Sequence, residues 1–290
     1  MPPPTAQEEP LGLRVSAILI AYNQAAALRK AIAALEASRD RPRLEIVVVD
    51  CGSHDESSQM DAEFPGINLL RLPHHIGAAR AMNIASRTAK ADLLLYLSPD
   101  VEVEPGTVAA LADRLEPESN IAAVCPLLID EQGAPARRVF KLPTRESLSG
   151  TLTPVTIDTG EESVAVEYPS LDAVMVRKVL VRGMNYFDER FGHYWVDADL
   201  AMQIRRNGKT ILLYPAIRAK LYGGSDPLGD DSLARADRVA GAARFLAKYS
   251  GGMAGLSFRL GTALKALGRF DLGHFADVLG GKKLDGSQAG

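Results

Sequence analysis

Between residues 14 and 97 the chain sets four short, almost unbroken apolar runs, "VSAILIAY", "LEIVVVD", "INLLRL" and "DLLLYL". Segments of helical pattern separate them: one over about 25 to 38, a short one after Asp50, and one over about 77 to 88. A strand that meets water on one side alternates apolar and polar residues, whereas a run without alternation must be covered on both faces. Repeated strand and helix units of this kind predict an α/β fold with a mostly parallel sheet flanked by helices. Ligands of such sheets collect at the carboxyl ends of the strands. Four polar features fall at those ends: Tyr22 with Asn23, Asp50 with "CGSHD", the helix entry "HHIGAARAMN" after Leu72, and Asp100. Their convergence makes that rim the first candidate for function.

Beyond Asp100, "EPGTVAALADRLE" carries a proline near its first helical position and predicts a helix of about three turns. Residues 130 to 168 have weak periodicity and read as strand fragments joined by long loops, which inside a compact domain are often binding elements. "DAVMV" then reads as a strand, "FDERFGHYWV" as a loop, "DADLAMQIRRNG" as a capped helix and "TILLYP" as a final strand. From about 229 to 280 the pattern is helical, interrupted by "SGG" at 250 to 252. The expected division is a disordered tail over 1–12, an α/β domain over 13–225, and a helical extension with a tail over 226–290.

A length of 290 residues accommodates one such domain with an appendage. A net charge of −3 offers no basic surface, which argues against a nucleic-acid partner. Cys51 and Cys125 each lie beside an apolar run, and no CxxC pair occurs. They read as buried thiols of a reducing cytoplasm. "MPPPTAQEEP" lacks the basic start and apolar run of a signal peptide, and no stretch approaches the ~18 apolar residues of a membrane span. The expected location is therefore the cytoplasm.

Several residues have both a chemical and a plain structural reading. Asp100 lies too early to cap the helix that follows it. If 100 to 103 stays extended, Asp100 and Glu102 point to one side, an arrangement that suits Mg²⁺ or Mn²⁺. The plain reading is an acid in the turn after a strand. Asp197 sits where an N-cap belongs, with Arg205 and Arg206 and then Asn207 and Gly208 closing the helix, and it is also placed to act as a general base. Asp199, two residues on, cannot share its proton, so only one of the two acts. Asp50 can accept hydrogen bonds from a nucleobase or simply shape an Asx turn. Gly77, Ala78, Ala79 and Arg80 open a helix either to meet phosphate or to pack closely on the sheet. His74 and His75 have no third ligand at metal spacing and read as loop residues shaping the site. Near the C-terminus Met253, Leu256, Leu260, Leu264 and Leu267 form a stripe away from Arg259, Lys265 and Arg269. Packing on the main domain is the expected use of that stripe; peripheral contact of 253–270 with an anionic membrane is the other.

Taken together and in this order, the motifs resemble glycosyltransferase family 2, with its GT-A fold, and within it the rhamnosyltransferase-like branch. The likeness spans about residues 14 to 225. "IVVVDCGSHDES" resembles the family's "VVDNGSTDGS", "HHIGAARAMNIA" its "NxGxxxAxNxG", and "LLLYLSPDVEVEPG" its "LLFLNPDVxxxPG". "FDERFGHYWVDADLAMQIRRNG" resembles "FDExFFxYxEDVDLCxRxxxxG", and "VSAILIAYN" looks like the first strand. The resemblance implies that Ala21, Tyr22 and Asp50 hold a nucleoside, and that Asp100 binds the metal bridging the diphosphate of a nucleotide sugar. It implies Asp197 as the base of an inverting transfer from a UDP- or dTDP-linked donor to a glycan or lipid-linked acceptor in cell-envelope polysaccharide synthesis. The chain departs from the pattern at Ser98, at Val196 before the implied base, at Asp172 where glycine is usual, and in "AKLYGGS", which lacks a further histidine. These departures motivate a second reading, a degenerate module that binds a nucleotide sugar or a partner without turnover. A nucleotidyltransferase would need a basic loop after the first strand, which "AYNQAAAL" does not offer.

Overall fold

The apolar runs all become strands; those at 15–21, 44–50 and 93–97 are covered on both faces, whereas the edge run at 68–71 is only half-buried. A computed structural model describes residues 12–223, 228, 229 and 232–284. The expected tail, apart from residue 12, and the boundary at 225 and 226 lie outside the described residues. Val15–Ala21 (β1), Leu44–Asp50 (β2), Asn68–Arg71 (β3) and Leu93–Leu97 (β4) pair in parallel in the order β3-β2-β1-β4. Side chains alternate between two cores: Val15, Ala17 and Leu19 of β1 enter one, Ile18 the other. Helix Ala25–Glu36 (α1) seals the first with Leu28, Ile32 and Leu35, while short helix Met60–Glu63 (α2) adds Met60. Helix Ala78–Thr88 (α3) seals the other with alanines, whose small side chains let it lie close to the sheet.

The rest of the sheet is mixed. Val101–Val103 (β5), helix Thr107–Leu115 (α4) and the fully buried strand Ile121–Ile129 (β6) are followed by the loop-rich stretch, which holds Val139–Phe140 (β7), helix Arg145–Ser149 (α5), Val164–Val166 (β8) and Tyr168–Pro169 (β9). Ala173–Arg177 (β10) then inserts antiparallel between β4 and β6. Helix Lys178–Gly183 (α6), in a stretch to which the sequence pattern assigned no element, leads to helix Val196–Arg206 (α7) and the long strand Thr210–Leu221 (β11). β11 runs parallel to β6 and antiparallel to β5 and β8. Pro105 precedes α4 by two residues and so stands outside the helix it was expected to open.

Three helices complete the described chain: Ser232–Ser250 (α8), Gly252–Gly268 (α9) and Leu272–Gly280 (α10). The break after α9, which the sequence pattern did not reveal, falls where Phe270 takes a positive φ of 59° and the Asp271 carboxylate caps α10 by accepting the His274 N–H at 3.0 Å. The expected packing of the Met253 stripe is overturned. Met253, Leu256, Leu260, Leu264 and Leu267 all face solvent, Met253 at 78% exposure. The buried face of α9 is instead Gly255, Phe258, Ala263 and Ala266. Small residues win because they let α9 approach α8 closely; a Cβ at Gly255 would run into the Ala243 carbonyl.

α8 belongs to the same core as the sheet, since Ala242, Phe245 and Leu246 join Val196, Leu200, Ala201 and Ile204 of α7. A buried ion pair locks the two helices: Lys248 Nζ donates to both oxygens of Asp199, at 2.6 and 2.8 Å. Tyr249 Oη and Gln203 Nε2 donate to the same carboxylate at 2.7 and 2.8 Å. Breaking a buried pair by removing one partner strands a charge, which costs more than the pair itself contributes. Lys248→Met is therefore expected to destabilise the protein by about 3 kcal/mol, read as a lower urea midpoint at unchanged slope. Adding Asp199→Asn should recover much of the loss; a single variant as stable as the parent would contradict the clamp.

Candidate active site

A cavity of about 320 Å³ opens at the carboxyl ends of β1 and β4, lined by Ile18, Ile20 and Gln24, by Leu97 to Asp100, by Arg138 and Ser170 to Asp172, and by His193 to Asp197. Asp100 reaches it through a tight turn. β4 stops at Leu97, and the Val101 N–H closes the turn on the Ser98 carbonyl at 3.0 Å. The Asp172 carbonyl accepts the Ser98 N–H, and the Asp100 carbonyl accepts the Tyr222 N–H, both at 2.8 Å. Ser98 Oγ accepts the Asp100 N–H at 3.4 Å, so the residue that departs from the family pattern supports the turn. Burial pushes the Asp100 carboxyl up, Asp172 adds to the shift, and Arg138 opposes it.

Asp197 enters the cavity from a helix rather than a strand end. The N-cap expected at Asp197 is Trp195, whose left-handed backbone, φ 71°, turns the aromatic loop into α7. Asp197 lies instead in the first helical turn. There its Oδ1 accepts the Ala198 N–H at 2.8 Å, and its carboxyl hydrogen-bonds the Tyr168 hydroxyl. A helix N-terminus favours a carboxylate, yet burial dominates and pushes Asp197 up to about 6. Such a group is ionised at neutral pH and still basic enough to take a proton. Of the two neighbouring aspartates, Asp199 is taken up by the clamp on Lys248, which leaves Asp197 as the candidate base.

The other candidates are distributed around this cavity. Asp50 is 2% exposed at the end of β2 and accepts the Ser53 N–H at 3.3 and 3.4 Å, a local turn contact; it does not line the cavity, nor do Ala21 and Tyr22. Gly52, at φ 76°, lets His74 approach so closely that a Cβ would lie 2.6 Å from the His74 Cα. Tyr22 meets His75 edge-on at 5.0 Å, and His75 meets His193 at 5.6 Å, forming an aromatic shelf that joins the cavity at His193. Burial, and then His193, pull His75 down to about 4, so it is neutral at physiological pH. From the α3 entry only Ala78 lines the cavity. His75 Nδ1 accepts the Gly77 N–H at 3.1 Å, the Gly192 carbonyl accepts that of Ala79 at 3.4 Å, and Arg80 lies 3.7 Å from Glu189. Glu102 does not join Asp100 on the wall; it sits opposite Lys220 on the β5–β11 edge, beside the Tyr222 phenol.

Among the described residues no three His, Cys, Asp or Glu side chains gather as a metal cage. The single Asp100 carboxylate fits a hard cation that takes its remaining ligands from phosphate oxygens and water. Sequence reasoning missed Arg138, Ser170 and Tyr168, which lie within or just after the stretch of weak periodicity. The topology that inserts β10 beside β4 brings Arg138 and Ser170 to the cavity wall with Asp100, while Tyr168 meets Asp197.

The family described as glycosyl transferase family 2 matches residues 16–163. Over 224 residues the chain is 25% identical to the N-acetylglucosaminyl-diphospho-decaprenol L-rhamnosyltransferase of Mycobacterium tuberculosis, covering 69% of this chain and 73% of that protein. Among solved structures, GalNAc-T7 with UDP, GalNAc and Mn²⁺ superimposes with a TM-score of 0.64 at 18% identity, over 79% of this chain; the chain spans 47% of that one. The mannosyltransferase PcManGT of Pyrobaculum calidifontis with GDP-Man and Mn²⁺ does so at 0.56 and 16% identity, over 92% of this chain and 73% of that one. At such identities these two likenesses establish the fold, a GT-A sheet flanked by helices.

The raised Asp197 carboxyl has a consequence for stability that can be measured apart from activity. The folded protein holds this proton more tightly than the unfolded chain does, so the stabilisation is complete below about 3.8 and is lost as pH rises through about 6. Relative to Asp197→Asn, the wild type should lose stability between those values in paired denaturation curves. A difference that does not change with pH would contradict the burial of this group.

Proposed function

The chain belongs to glycosyl transferase family 2, and from that premise we propose that it moves a sugar from a UDP- or dTDP-linked donor to a glycan or lipid-linked acceptor, with inversion at the anomeric carbon. The observation that carries the reading is the pair of carboxylates that line one cavity from different elements: Asp100 at the strand rim, and Asp197, raised to about 6, on α7. The name of the mycobacterial relative, which acts on a decaprenol-linked substrate, supports a lipid-linked acceptor. Mn²⁺ in both solved structures supports a divalent ion, Mg²⁺ or Mn²⁺, at Asp100.

The residues divide the work by position. Asp197 takes the proton of the acceptor hydroxyl as that oxygen attacks the anomeric carbon, and the Tyr168 hydroxyl keeps the carboxylate oriented. Asp100 holds the diphosphate side of the donor, away from the attacking oxygen. When bound there, the divalent ion supplies positive charge to the departing nucleoside diphosphate. Ile18, Ile20, Met82 and Trp195 line the same cavity and limit water as a competing acceptor. Ala21, Tyr22 and Asp50 remain the proposed nucleoside contacts, and Gly77 and Arg80 the proposed diphosphate contacts, although the Gly192 and Leu284 carbonyls lie against Gly77.

The exposed stripe of α9 is proposed as the surface by which residues 253–270 rest on the inner face of the cell membrane. Leu260, Leu264 and Leu267 face outward there, Phe270 is 91% exposed at the tip, and the charges beside them, Lys265 and Arg269, complement anionic lipid. Among the described residues no helix is long and apolar enough to cross a membrane.

Thermal-shift screening of nucleotide sugars with and without Mn²⁺ should give one donor whose stabilisation grows with the ion. With that donor, Asp197→Asn is expected to lower kcat by roughly 10²- to 10⁴-fold while donor affinity changes little, and Asp100→Ala should abolish the Mn²⁺ dependence. Variants that turn over like the parent would refute the assigned roles, and nucleotide binding without turnover on any acceptor would favour a binding module. In a separate flotation experiment, full-length protein should rise with anionic vesicles, and the Leu264→Glu/Phe270→Glu variant should stay at the bottom with an unchanged melting temperature. Equal flotation of the two would remove the membrane surface.

A further inference from the structure

One polar group of the cavity has no part in the chemistry assigned so far. Asp172 immediately precedes β10, and its backbone is pinned beside Asp100 because its carbonyl accepts the Ser98 N–H at 2.8 Å. Its side chain is held as firmly. Ser170 Oγ donates to Oδ2 at 2.6 Å, and Arg138 Nε lies 3.5 Å from the same oxygen. Both contacts fall on Oδ2, and Oδ1 accepts no hydrogen bond from the described residues. A carboxylate of the cavity lining anchored by one oxygen, whose other oxygen meets no donor among the described residues, can accept one from a ligand.

We propose that Asp172, positioned by Ser170 and Arg138, is a specificity-determining residue that accepts hydrogen bonds from one or two hydroxyls of the sugar seated between Asp100 and Asp197. The assignment rests on the sugar-transfer reading of the cavity and adds to it the group that chooses the sugar. Hydroxyls are what a fixed carboxylate oxygen recognises well, through short charge-assisted hydrogen bonds. Sugars of one size differ chiefly in where their hydroxyls point, and a buried acceptor left unpaired by the wrong isomer rejects it more strongly than a mismatch of shape does. Asp172 occupies a position where the family pattern has glycine, so the recognition belongs to this chain rather than to the shared chemistry. Arg138 balances the charge. Without it, Asp172 would stand uncompensated beside Asp100, whose carboxyl it already pushes up.

The recognised hydroxyls can belong to the donor sugar or to the terminal sugar of the acceptor, and one set of measurements separates the two. Full-length wild type, Asp172→Asn and Asp172→Gly are titrated with the nucleoside diphosphate, with the donor found by screening, and with donors lacking single hydroxyls. Transfer kinetics then use the parent acceptor and its deoxy forms. The nucleoside diphosphate should bind all three proteins within about twofold, which also reports on folding. On one substrate, wild type should lose about 10- to 100-fold when a particular hydroxyl is removed, and Asp172→Gly should lose nothing further from that removal. The effect appears in donor Kd if the donor is recognised and in acceptor KM if the acceptor is. A hydroxyl penalty that persists undiminished in Asp172→Gly overturns the proposal, as does a variant whose only change is in Mn²⁺ affinity or in the pH profile. If wild type binds no nucleotide sugar at all, the sugar-transfer reading falls, and this assignment falls with it.

Discussion

Strands covered on both faces leave a polar side chain one place to go, the strand end, and the functional geography of this protein follows from that constraint. β1, β2 and β4 bury nearly every residue, so Asp50 and Asp100 emerge only where the strands stop. The parallel direction of these strands puts their carboxyl ends on one rim. Insertion of β10 against β4 then adds Ser170 and Asp172 to the same rim, next to the turn that carries Asp100. A charge placed there is partly desolvated by its position, so both Asp100 and Asp197 have carboxyls raised first by burial.

The helical part of the cavity is built by long-range polar contacts rather than by the sheet. Helix α7 carries Asp197 on its cavity side and Asp199 on its buried side, where Lys248 and Tyr249 of α8 grip it. A second buried carboxylate on α8, Asp237, accepts the N–H groups of His193 and Tyr194 at 2.7 and 3.1 Å and that of Leu284 at 3.0 Å. Gly192 is required beside it, because a Cβ would fall on the Asp237 carboxylate. The C-terminal helices are therefore structural partners of α7, and among the described residues the outward face of α9 stays exposed.

Much of the first half could be read directly. The runs ending at Ala21, Asp50 and Leu97 announce a sheet, and the order of motifs around Asp50, Asp100 and Asp197 points to the family that now includes the chain. The misreadings share a cause, which is that periodicity records size and polarity but not which neighbour a face will meet. The large residues of α9 made the more conspicuous stripe, yet Gly255, Ala263 and Ala266 do the packing because α8 lies so close. Asp197 looked like a cap because acids commonly begin helices, whereas the left-handed Trp195 takes that position. Arg138, Tyr168 and Lys248 carry no local signal, since their roles arise only when residues far apart in sequence meet, Asp172, Asp197 and Asp199 respectively.

The most direct test of the account is the stereochemical course of the reaction, followed by proton NMR during slow hydrolysis of the donor, with water taking the place of the acceptor. The proposed role of Asp197, a base acting on the incoming hydroxyl, requires a single displacement, so the first sugar released should have the anomeric configuration inverted from that of the donor. Release with the donor's configuration retained would contradict the role given to Asp197 and the division of the cavity built on it.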